Sequence, residues 1–160
     1  MAELTTLEEK LAEVTGLAKA AQEATQKIEG LVDDEELVSQ LQRMREEAAE
    51  TEERCTALAE ERDGKKTAIL EKAQETKNEA AEMMKTYLGS DADDLDGFEF
   101  LTMAEAGEVG HWEILRKLNE KAREDEIQEL VDWALPIQER HLQEVRQGSL
   151  TLAAEEDPNA

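Results

Sequence analysis

Apolar residues recur along this chain in alternating steps of three and four, the spacing that lines one face of an α-helix. The first run, Leu4, Leu7, Leu11, Val14, Ala18, Ala21, Thr25 and Ile28, predicts a helix from about Glu3 to Glu29. Thr5 and Thr6, followed three residues later by Glu8 and Glu9, give it a capping box, and Gly30 stops it. Asp33 and Asp34 cap a second helix with Leu37, Leu41, Met44, Ala48, Thr51, Cys55 and Leu58 on one face, fading at Asp63-Gly64. A third and weaker pattern, from about Lys65 to Leu88, places Ile69, Ala73, Thr76, Ala80, Met83 and Tyr87 together.

After an acidic loop, a fourth helix is predicted from near Leu95 to near Ala122, and a fifth from Asp125 to Gln147, just before Gly148. A capping box between Asp125 and Gln128 would open the fifth, and Pro136 predicts a kink inside it. Residues 1–148 therefore read as one helical domain and 149–160 as a flexible acidic tail.

Two of these stripes carry residues that the pattern does not ask for. On the fourth helix the seam reads Leu101, Ala104, Glu108, His111, Leu115, Leu118, Ala122. On the fifth it reads Ile127, Leu130/Val131, Ala134, Ile137/Gln138, His141, Val145. Both histidines of the chain thus fall on expected core positions of consecutive helices, each three residues after an oxygen-bearing side chain. A helix presents positions i and i+3 on one face, so Glu-x-x-His can offer two ligands to one ion. An unpartnered buried carboxylate is costly, and a cation removes that cost. The expected ligands are Glu108, His111 and His141, with Gln138, Glu52 and Cys55 as further candidates and Glu105 and Glu139 as neighbours able to join or support them. Glu52-x-x-Cys55 repeats the spacing on the second helix, where Cys55 also fits as a small buried hydrophobe.

Composition narrows the function classes. Just over half of the residues are Ala, Glu, Lys, Leu or Arg, only 3 % are aromatic, and there are two prolines and eight glycines, as in a bundle of long helices. The formal net charge of −23 opposes nucleic acid and anionic membrane surfaces as partners, and the one cysteine cannot form an internal disulfide. The opening MAELTTLEEK has neither a basic stretch nor an apolar core, so no signal peptide is expected there and the predicted location is cytoplasmic. An exposed helix face would allow two copies to pair as a homodimer.

In its two long hairpins, the "GKK" break after the second helix, the extra helix in the crossover and the closing pair with Glu-x-x-His-like elements, the chain resembles the ferritin-like superfamily. The similarity is strongest to small bacterial members linked to stress responses, and covers most of residues 10–147. It implies an all-α, antiparallel four-helix bundle with an extra crossover helix, whose inward carboxylates and histidines bind a dinuclear metal, usually iron. Glu108 matches the fourth-helix glutamate and His111 its i+3 partner. His141 fits its position, but Gln138 stands where glutamate is expected, Cys55 replaces the histidine after Glu52, and on the first helix Glu23 lies only beside the seam. A full di-iron site in this class takes about four carboxylates and two histidines, and this chain carries roughly half of that set. The expected function is binding of iron or another divalent transition metal in the bundle core, with weak or no catalysis. The alternative is a structural or protein-interaction bundle whose vestigial site is a buried polar network. Haem held between His111 and His141 is a third arrangement the two histidines allow.

Overall fold

The computed structural model describes residues 2–160, and among them there are five helices and no strand. They are α1 (Thr6–Glu29), α2 (Glu35–Glu60), α3 (Lys66–Tyr87), α4 (Asp94–Ala122) and α5 (Asp125–Ala154). The expected caps of the first two form. Thr5 and Glu8 make a reciprocal capping box, and Asp34 accepts from the amides of Glu36 and Leu37. The turn at Asp63-Gly64 also forms, with Gly64 at φ +73, a conformation glycine adopts without strain.

Two ends differ from expectation. The α4–α5 link is not closed by Asp125 and Gln128. Buried Asn119 closes it instead, accepting from the Glu124 amide and donating to the Glu124 carbonyl, both at 3.1 Å. Nor does Gly148 stop α5. A Cβ there would lie 2.5 Å from the Phe98 ring, so the glycine serves close packing, and the helix continues to bury Leu152.

Side-chain pairs fix how the helices run. Between α1 and α2, Glu29 meets Arg45 (2.9 Å) and Gln22 meets Glu52 (2.8 Å), so residue numbers rise on one as they fall on the other. The same antiparallel register joins α4 to α5 through Thr102–Ser149 and Asn119–Gln128. It joins α2 to α5 through His141–Glu47 and through Arg54 over the Trp133 ring. α1 also runs antiparallel to α4, since Gly97 abuts Ile28 and His111 approaches Glu13. α3 lies on α1 and runs parallel to it, with Lys19–Gln74 at 2.9 Å and Glu23–Lys77 at 2.6 Å. A Cβ on Gly16 would stand 2.3 Å from the Ala73 carbonyl oxygen, so these two backbones nearly touch.

The α3 face is less buried than its pattern suggested: Ala68, Ile69 and Ala73 are enclosed, but Met83 and Tyr87 are about half exposed. The interior holds two large apolar clusters toward opposite ends. One gathers Ile28, Leu37, Phe98, Val145 and Leu152, the other Leu7, Leu11, Trp112, Leu115 and Ile127. The polar side chains of the next section lie between them.

Candidate functional site

α4 buries a seam one step away from the expected one: Leu101, Glu105, Glu108, Trp112, Leu115 and Asn119. Both seams obey the three-four rule, and the structure chooses the one that hides the large Trp112 ring and leaves His111 half exposed. Glu105 and Glu108, one turn apart on the same face, are 1 % and 5 % exposed. On α5 the seam follows expectation and turns Gln138 and His141 toward them.

The four groups form one network. The Gln138 amide is assigned with its nitrogen toward the carboxyls, because its oxygen there would face only acceptors. It then donates to Glu105 at 3.1 Å and to Glu108 at 2.5 Å. Burial pushes both carboxyls well above the ordinary carboxylate range, and for Glu108 the neighbouring Glu105 charge adds to the push. Like charges so close in a dry site do not both ionise, so the pair shares a proton.

His141 sits on the other side of Glu105, with Nδ1 at 4.0 Å from its Oε2. Burial lowers its basicity against the pull of Glu47, so the ring is neutral. Nε2 lies 2.9 Å from Glu47 Oε1, which assigns the ring hydrogen to Nε2 and leaves the Nδ1 lone pair free. Burial alone would raise Glu47 too, but Arg140, held as a two-pronged ion pair, and His141 keep it below its ordinary value. Glu47 is thus an ionised brace behind a neutral imidazole.

The structure therefore brings together three of the six expected ligands, Glu108, Gln138 and His141, and adds Glu105. It separates the other three. The His111 Nδ1 is 2.8 Å from the Gly107 carbonyl of its own helix, and its Nε2 is 3.6 Å from Glu13, away from His141. The two imidazoles thus have no common axis for a haem. Glu52 is turned to Gln22 of α1. Cys55 is fully buried in the apolar cluster with Trp112 and Leu115, and burial pushes its thiol up to about 12, so it is not a thiolate at neutral pH. Glu139 is exposed.

Period alone leaves Glu105 beside a seam through Ala104 and His111. Keeping the large Trp112 ring inside puts Glu105 on the seam. Glu47 left no signal, since it stands beside, not on, the α2 stripe. Among the described residues, the one group of three acidic or histidine side chains whose ligand atoms all lie within 4.8 Å is Asp93, Asp94 and Glu156, at the surface. The buried set is more open than that, so its carboxyls must rotate to meet at one point.

One further feature adjoins the buried carboxyls. A cleft of about 210 Å³ between α1, α3 and α4 has Glu105, Glu108 and His111 in its wall. No family model matches this sequence, and comparison with curated proteins finds no match.

Proposed function

We propose that the protein is a ferritin-like bundle of α1, α2, α4 and α5, with α3 as the crossover, that binds one divalent transition-metal ion between α4 and α5. Supporting the architecture, α2 and α4 run the same way, so the chain between them must travel the length of the molecule, and α3 does so. Iron is the leading candidate ion, on the resemblance; the donor set alone also suits manganese or zinc.

The observation that carries the metal proposal is the arrangement around His141: a bare Nδ1 4.0 Å from the buried Glu105 carboxyl, which Gln138 ties to Glu108, with Nε2 held by the ionised Glu47. Metal-binding imidazoles are commonly held in this way, with a carboxylate behind the ring fixing its tautomer and raising its basicity. Glu105, Glu108 and His141 would be the ligands and Glu47 the brace. Gln138 suits either state, because turning its amide exchanges a hydrogen-bonding nitrogen for a ligating oxygen. His111, Glu52 and Cys55 drop out of the ligand set on position alone. An ion would supply positive charge to a site that otherwise needs a shared proton.

That shared proton also favours a second function, a structural bundle whose polar layer closes without an ion. Elemental analysis of natively purified, untagged protein beside Glu105→Ala/Glu108→Ala and His141→Ala variants separates the two. Near-stoichiometric iron, manganese or zinc in the wild type, lost in the variants, is the expected result. A folded wild type with no more metal than its variants leaves the structural bundle.

A further inference from the structure

The cleft between α1, α3 and α4 is framed by Ala21 and Ala24, Ala80 and Ala81, and Ala104. The alanines leave the space open, and Met83, Met84 and Met103, which also line it, are flexible enough to fit themselves to an occupant. An apolar cavity of ~150 Å³ takes up benzene, and about 210 Å³ gives this one room for a somewhat larger molecule.

The polar lining of the cleft is Glu23 and His111 together with Glu105 and Glu108, the last two almost fully buried. Two carboxyl groups present four oxygens, and the Gln138 amide and the proton they share offer them three hydrogens, so an ammonium group that takes the place of that proton finds acceptors for its own. Carboxyl oxygens in the lining of an apolar cleft favour a ligand with several donors on one compact atom. The net charge of −23 selects a cationic one. A primary ammonium meets both demands, with three N–H donors and one positive charge.

We propose that this cleft binds a primary alkylamine, its apolar chain between the alanine walls and its ammonium group on Glu105 and Glu108. The site needs no metal ion. It uses the same two carboxyls, so a bound ion and a bound amine exclude one another.

Chelator-treated protein titrated calorimetrically with butylamine, hexylamine and hexanoate tests it. Each buried methylene tightens binding about fourfold, so hexylamine is expected to bind at least about tenfold tighter than butylamine, and hexanoate not at all. Glu108→Gln, which replaces a carboxyl by an amide with one acceptor and a competing NH₂ group, should weaken hexylamine at least about tenfold. Ala80→Phe, which fills the cleft and leaves the carboxyls in place, should abolish binding. Circular dichroism reports folding, and Ala80→Phe decides the matter if Glu108→Gln does not fold. Absence of hexylamine binding to folded wild type, equal binding of hexanoate, or undiminished binding by folded Ala80→Phe overturns the proposal. Each of these outcomes leaves the metal proposal standing, because that one is read from metal content.

Discussion

Glu105 and Glu108 occupy a setting in which a carboxyl ordinarily keeps its proton, and the sign of the resulting pH dependence follows from that. In the unfolded chain both titrate near about 4.3. In the folded protein burial holds them higher, so their contribution to stability is fully present below that value and is lost as pH rises through the folded one. Glu8 runs the other way. Burial would raise it, but the Thr5 amide, Arg62 and Lys65 hold it down at about 2, and its contribution is lost as pH falls. His141, lowered by burial, likewise costs stability below its unfolded value. Glu108→Gln keeps a donor for Glu105 and an acceptor for Gln138 while removing the titration. In chelator-treated protein this variant should therefore melt above wild type at pH 8, with the gap closing by about pH 4, near the unfolded carboxylate value. A gap that stays constant across the pH series would count against the shared proton.

At the scale of the element, the closest contact is between α1 and α3. Gly16→Ala would normally stabilise a helix by about 0.5–1 kcal/mol, but here the added methyl meets the Ala73 carbonyl oxygen and Thr76 Cβ, and α3 must move. The expected result is a net loss of about 1–3 kcal/mol, as for overpacking. Gly110→Ala, with nothing within 4 Å of the new Cβ, should give the ordinary gain. Urea midpoints of the two variants check the pair, and a stabilised Gly16→Ala would mean that α3 yields freely.

Most of the elements were legible in the sequence because long helices announce themselves by period and cap. The α2 stripe from Leu37 to Cys55 is buried as read, and Thr5 caps where the pattern placed it. What was not legible involves choices that the period leaves free. Ala104 and Glu105 both satisfy a three-four rule, and only the volume of Trp112 breaks the tie. Gly148 carries the chemistry of a helix stop but meets the Phe98 ring, a contact fifty residues away in sequence. Of the site, Glu108, Gln138 and His141 were visible as polar residues on buried seams. Glu47 was not, because its place is set by the rotation of α2 against α5.

In the molecule as a whole, a polar layer separates two apolar clusters, and ion pairs bind the ends. Arg62 reaches Glu8 at 2.8 Å and Glu124 at 2.6 Å, so one guanidinium joins the start of α1 to the α4–α5 turn. α3 has no such ion pair near its far end, but packing holds it there: Met84 lies on the core, the Tyr87 ring is 6.1 Å from that of Phe100, and Leu88, just past the helix, is buried. The least held stretch lies between, from Gln74 to Met83, where no residue is buried. Local opening is cheapest where few apolar contacts resist it. Amide hydrogens from Asn78 to Met83 should accordingly exchange with solvent at least about tenfold faster than those from Ile69 to Ala73. Uniform protection along α3, measured by hydrogen-exchange mass spectrometry or NMR, would refute this. The same stretch carries Ala80 and Ala81, so it is also one wall of the cleft. Whatever fills the cleft should then slow exchange in that stretch, because binding to the closed helix stabilises it over the opened one.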